Sequence, residues 1–82
     1  MIIPAQVRAA RAMLGWRQAD LAHAAGISAI AIKSLERGLT DPRLSTVAAI
    51  ERALAAAGVV LIDADSGGGP GVRFKGTVAD AR

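Results

Sequence analysis

Ile30, Lys33, Ser34 and Arg37 fall on one side of a helix if the segment after Ser28 is helical. At about 100° per residue they cluster opposite Ile32 and Leu35, leaving two cations, a hydroxyl and an apolar side chain facing outward. That set suits the major groove of duplex DNA. Lys33 can reach a guanine edge or a phosphate, Ser34 can bond to various bases, and Ile30, with Ala29 beside it, can pack on thymine methyls. The free N–H groups at the start of such a helix, with Ser28 before them, can receive a phosphate. Ile30 could equally meet another protein surface or stand alone in water, as single exposed apolar side chains often do. Taken by itself it does not choose.

Arg11 and Glu36 make a second constellation. Arg11 lies about 40° from Val7 on the apolar stripe of one helix, and Glu36 about 40° from Ile32 on that of another. Both charges fall at the edge of faces that must pack inward, and a charge left there alone costs several kcal/mol, so mutual pairing is expected. The alternative is two unrelated charges that reach water.

Other chemistries find little support. With no Cys, disulfides, thiolate metal sites and cysteine nucleophiles are excluded together. His23 is the single histidine, and no cluster of carboxylates joins it, so neither a metal site nor a catalytic base is expected. Ser28, Ser34, Ser45 and Ser66 have no histidine partner in evident reach. The glycines of 67–71 lack the Lys-Ser/Thr and the following helix of a phosphate loop and read as a flexible turn. Trp16 and Phe74 are the only aromatics, which argues against base stacking on an aromatic platform. The reading is of a protein that is not an enzyme and uses no cofactor. The apolar runs are too short to span a bilayer, and Met1-Ile2-Ile3-Pro4 lacks the pattern of a signal peptide, so a cytoplasmic protein without membrane association is expected.

The net charge of +3 is unevenly placed. Through Ala57 there are seven Lys/Arg against four acids, and from Gly58 onward three of each sign. The positive excess sits where a polyanion would dock, although an ordinary solvated surface would also account for it.

The elements that must position these residues are mainly helical. A first helix is expected from Pro4 to about Leu14, ended by Gly15, with Val7, Ala10 and Leu14 buried. A second runs from Gln18 to about Ala24, with Leu21, Ala22 and Ala25 facing inward, and Gly26 supplies a left-handed exit. Ser28 caps a third reaching Arg37, with Gly38 as the stop. A fourth starts near Ser45 and ends at Gly58, with Val47, Ile50, Leu54 and Ala57 on one face. Val59–Ile62 and Val72–Lys75, separated by a turn cluster, read as a β-hairpin.

Residues 7–58 resemble the phage-repressor, Cro-like helix-turn-helix family, also called the xenobiotic-response-element (XRE) family of bacterial regulators. The matching signature is Gln18, Leu21-Ala22, Gly26-Ile27-Ser28, Ile32, Leu35-Glu36-Arg37-Gly38 and Pro42, followed by an apolar fourth helix. The resemblance implies a small lambda-repressor-like domain of four helices. It implies base contacts from Ala29, Ile30, Lys33 and Ser34, and phosphate contacts from Arg17, Gln18, Ser28, Arg37 and Arg43. It also implies an Arg11–Glu36 ion pair, with Gln18 bracing the recognition helix. Two departures stand out. Ala29 and Ile30 replace the long polar side chains that commonly read bases, and a hairpin stands where the family usually has a fifth helix.

Expected organisation is therefore a helix-turn-helix domain over 1–58, a hairpin over 59–75 and a flexible tail over 76–82. Because Val59–Ile62 is apolar on both faces and a lone hairpin is marginal in water, something must cover it. Pairing with a second copy through Val59, Val60, Leu61, Ile62, Val72 and Phe74 would give a homodimer on an inverted-repeat operator. The alternative folds the hairpin over helices 1 and 4 of a monomer. The function expected is a sequence-specific transcriptional regulator, bacterial or phage, binding double-stranded DNA. Two rivals are an antitoxin that also holds a toxin partner, and a protein-interaction module that has lost DNA binding.

Overall fold

The computed structural model describes residues 2–39 and 41–76. The order of elements is α1 (Pro4–Leu14), α2 (Gln18–Ala25), α3 (Ala29–Glu36), α4 (Leu44–Ala56), β1 (Val59–Ile62) and β2 (Gly71–Phe74). Of the tail expected over 76–82, only Gly76 lies among the described residues.

The helix ends follow from local chemistry. Pro4 opens α1 with its fixed φ, and Gln6 Oε1 accepts the N–H of Ile3 at 2.9 Å, one of the donors a helix start leaves unpaired. Ser28 Oγ accepts from the N–H of Ala31 at 3.0 Å and so caps α3. Gly26 decides the α2–α3 turn: its φ of 72° is left-handed, and a Cβ there would meet nothing within 4 Å. Backbone conformation rather than crowding therefore demands glycine. Several bounds move by a residue or two from expectation, α4 stopping at Ala56 and the second strand running over Gly71–Phe74 rather than Val72–Lys75. α2 continues to Ala25, α3 ends at Glu36 with Arg37 as its cap, and α4 begins at Leu44 after Arg43.

Val7, Leu21, Ile32, Ile50, Leu54 and Val59 are the largest fully buried side chains. They come from all four helices and from β1, so the hairpin shares the helical core rather than standing beyond it. β1 and β2 pair antiparallel, with Val59 opposite Phe74, Val60 opposite Arg73, Leu61 opposite Val72 and Ile62 opposite Gly71. One face, Val59, Leu61, Val72 and Phe74, packs onto the core. Gln6 secures it: buried on α1, its Nε2 donates to the carbonyls of Ile62 at 2.9 Å and Gly71 at 3.0 Å. At the other end Lys75 continues the ladder, its N–H donating to Gly58 O at 2.9 Å.

The hairpin thus lies over helices 1 and 4 of its own chain. The physical reason is the helices' need for a lid, met by the four apolar side chains on one face. Val59, at 1% exposure, is out of reach of any partner. Alternation leaves Val60 and Ile62, both half-buried, as the apolar side chains on the outward face, beside the exposed Arg73. The glycine cluster, expected as a flexible loop, closes tightly at its start. Asp65 and Gly68 exchange backbone hydrogen bonds at 2.9 and 3.2 Å, and Asp65 Oδ1 accepts the N–H of Gly67 at 2.8 Å.

Candidate nucleic-acid interface

α3 is held from behind by one carboxylate. Glu36 is 3% exposed, and α1 and α2 both supply donors to it. Arg11 Nε donates to Glu36 Oε2 at 2.6 Å and Arg11 Nη2 to Oε1 at 2.8 Å, a two-pronged charge-assisted contact. Gln18 Nε2 donates to the same Oε1 at 3.1 Å. The third nitrogen of Arg11, Nη1, donates to the carbonyl of Trp16 at 2.9 Å, tying the α1–α2 turn into the arrangement. The hydrogen bonds that Arg11 donates to Glu36, and the negative charge of that carboxylate, raise the Arg11 guanidinium above its ordinary pKa, against the opposing effect of burial. No buried side-chain polar atom among the described residues lacks a partner.

The opposite side of α3 is open. Ile32 and Leu35 are buried, whereas Ile30 is 76% exposed and Ala29, Lys33 and Arg37 are exposed as well. Ser34 is half-buried at the edge of this face. Arg17, Gln18, Ala19, Ala29, Ile30 and Lys33 surround a shallow cleft of about 330 Å³ between the start of α2 and the start of α3. Residues separated in sequence are thus gathered at one place by the helix-turn-helix geometry. Arg37 and Arg43, both exposed, stand apart from the cleft, capping the end of α3 and the start of α4.

The cations at the cleft, Arg17 and Lys33, are both exposed. Arg17 pairs with Asp20, but at 3.4 Å and with 82% of its side chain exposed, a contact that costs little to exchange. Asp20 itself caps α2: its Oδ2 accepts the N–H of Arg17 at 2.8 Å. That backbone bond, then the Arg17 side chain, lower its pKa below the ordinary 3.8. Gln18, expected at a phosphate, has one amide hydrogen on Glu36, with its second hydrogen and its carbonyl left. Ser28 accepts a backbone bond and can still donate its hydroxyl hydrogen.

Two residues escaped the sequence reading. Arg8, three residues before Arg11 on α1, donates through Nη1 to the backbone carbonyl of Glu36 and so caps the end of α3. The three-residue spacing from Arg11 put it on the same face and was the available signal. Gln6 occupies the third helical position, two residues after Pro4, where it is recognisable as a capping residue. Its reach to the hairpin has no sequence signal. His23 is exposed, and among the described residues no group of His, Asp or Glu is placed to hold a metal ion. No helix among them is long and apolar enough to cross a membrane.

Comparison with known proteins agrees with this fold. A family model described as helix-turn-helix matches residues 7–56, from within α1 to the end of α4, and stops short of the hairpin. Similar sequences include uncharacterized HTH-type transcriptional regulators of Mycobacterium tuberculosis and Mycobacterium bovis, each 44% identical over 50 residues. The matched stretch is 61% of this chain and 20% of theirs, so the chain spans about a fifth of the length of the curated relatives it matches.

Proposed function

Because the chain belongs to the XRE-type helix-turn-helix family, we propose that it binds duplex DNA as a transcriptional regulator, with α3 entering the major groove. The observation that carries the reading is the two-sidedness of α3. Its inner side is fixed by Ile32, Leu35 and the Glu36 contacts, and its outer side carries Ile30, Lys33 and Arg37 into solvent. In this reading Ala29, Ile30, Lys33 and Ser34 face bases. Arg17, Gln18, Ser28, Arg37 and Arg43 face phosphates. A second copy, meeting the first through the outward hairpin face of Val60 and Ile62, would set two recognition helices about 34 Å apart on an inverted repeat.

The test is a titration of labelled duplex at salt concentrations from about 50 to 200 mM. Affinity should fall with a log–log slope of about −0.9 for each phosphate neutralised. Lys33→Glu should weaken binding at least about fivefold, or ~1 kcal/mol, while far-UV circular dichroism stays that of the parent. Affinity indifferent to both salt and Lys33→Glu would overturn the proposal.

A second reading, in which a toxin or other protein is also held, is favoured by a separate feature. An apolar groove of about 390 Å³ runs between Ile2, Pro4, Leu35 and Val47, with Leu44, 88% exposed, at its rim. Leu44→Ser, which removes the apolar side chain without adding a charge beside Arg43, should then abolish retention of a co-expressed neighbouring gene product and leave DNA affinity intact.

A further inference from the structure

The exposed side of α3 is chemically divided, and we infer that its first turn selects a 5-methylpyrimidine, thymine or 5-methylcytosine, at the base that Ile30 covers. The inference rests on the DNA-binding reading above and narrows it to a class of base. Ala29, Ile30 and Ala31 form that first turn, and none carries a polar side-chain atom. Ser28, whose Oγ accepts the N–H of Ala31, and Gln18, held on Glu36 at 3.1 Å across the cleft, keep hydrogen-bonding capacity that the reading above directs to phosphates rather than bases. The first side chain along the outer face of α3 that can hydrogen-bond is Lys33, one turn further on. Ile30 is therefore what the start of the helix offers to a base edge, and at 76% exposure it has most of its surface to give. As a β-branched residue in a helix it has one strongly preferred rotamer, so little conformational freedom is lost on contact.

Each base answers an apolar side chain differently. Guanine shows two acceptors in the major groove, adenine an acceptor and a donor, and cytosine a donor. Covering any of these with Ile30 removes water and returns no hydrogen bond, a loss on the order of tenfold in affinity. Thymine alone among the four standard bases presents a methyl group there. A cytosine methylated at C5 carries the same methyl at the same ring position. Burying one methyl against Ile30 corresponds to roughly three- to fivefold in affinity. Discrimination at this position thus combines a small attraction for the methyl with a larger penalty for bare polar edges, and the methylation state of a cytosine placed there becomes an input to binding.

The experiment starts from a duplex enriched by the full chain out of a random pool. Each thymine is replaced in turn by deoxyuridine, which removes only the methyl, and the Ile30 position is also prepared as cytosine and as 5-methylcytosine. Affinities are measured for the parent and for Ile30→Ala, whose site is exposed and whose new residue is the better helix former. The expected result is a three- to fivefold loss with deoxyuridine at one or two adjacent positions in a half-site. A gain of similar size should appear on methylating cytosine there. Both differences should shrink below twofold in Ile30→Ala, a coupling a merely structural role would not produce. Salt-dependent binding of an enriched duplex with no deoxyuridine effect, or with one that persists undiminished in Ile30→Ala, sinks this inference and leaves the DNA-binding reading standing. Failure of any duplex to be enriched overturns both.

Discussion

Replacing Glu36 by Ala should be among the most damaging single changes available to this domain. The side chain is 2% exposed and receives two bonds from Arg11 and one from Gln18. Removing one member of a buried pair costs about 3–5 kcal/mol, because the remaining charge has lost its compensation. Arg11 keeps 19% of its side-chain surface in contact with solvent and retains its bond to the Trp16 carbonyl, which moves the expectation to the low end, about 3 kcal/mol. A domain of this size has roughly 4–12 kcal/mol of stability in all. With each kcal/mol worth about 4–8 °C, the melting temperature should fall by roughly 12–24 °C. The assay is thermal and urea unfolding followed by far-UV circular dichroism and by the fluorescence of Trp16, the sole tryptophan, whose carbonyl Arg11 holds. Arg11→Met, Glu36→Leu and the two combined form a double-mutant cycle, and the double variant should recover much of what Glu36→Leu alone loses, since no unpaired charge then remains. A Glu36→Ala melt within about 0.5 kcal/mol of the parent, the scale of an ordinary surface substitution, would refute the argument.

Gln6→Leu keeps bulk but removes the donor shared by the Ile62 and Gly71 carbonyls and the acceptor for Ile3. It should cost about 1–3 kcal/mol and speed amide exchange along the hairpin ladder. Unchanged exchange at Ile62 and Arg73, whose pairs alternate into the hydrogen-bonded positions of the ladder, would show that the hairpin does not depend on this residue. Asp20 should titrate below 3.8 in the folded chain, as its bonds from Arg17 favour the charged form. A carboxyl pKa lowered by folding stabilises above the unfolded value, and that contribution disappears as pH falls through the lowered one. Arg17→Ala should raise the Asp20 midpoint only partway, because the backbone N–H of residue 17 still donates. A midpoint at or above 3.8 in the parent, read by carboxyl NMR shifts, would contradict the capping geometry.

The relation between hairpin and helices bears on how such a domain could pair with a copy of itself. Helix-turn-helix similarity ends at residue 56, and the hairpin beyond it serves first to close the chain's own core through Val59, Leu61, Val72 and Phe74. A dimer through this element would have only Val60 and Ile62 as apolar side chains on its outward face. That surface is small beside a standard protein interface. DNA-assisted pairing on neighbouring half-sites is then the arrangement to look for first, and sedimentation with and without duplex distinguishes it from a dimer formed in free solution.

Local rules written into the chain were enough for the helices. Pro4, Ser28, Gly15, Gly26 and Gly38 mark starts and stops because capping and left-handed φ are properties of a residue and its immediate neighbours. The inward stripes of Val7, Leu21, Ile32 and Leu54 come from a repeat of 3.6 residues, and so does the outward placement of Ile30 and Lys33. Even the meeting of Arg11 with Glu36 was legible, since two opposite charges at the edges of packed faces leave few economical solutions. The covering of the hairpin was not. Two apolar faces on Val59–Ile62 say that cover is needed without saying whose; the chain's own core takes one of them through Val59, Leu61, Val72 and Phe74, and Gln6 secures it across 56 residues of chain. The gathering of Arg17, Gln18, Ile30 and Lys33 around one cleft, and the cap Arg8 places on α3, depend likewise on how the helices cross. Sequence spacing fixes the face of each helix; only the packing of one helix on another decides which faces meet.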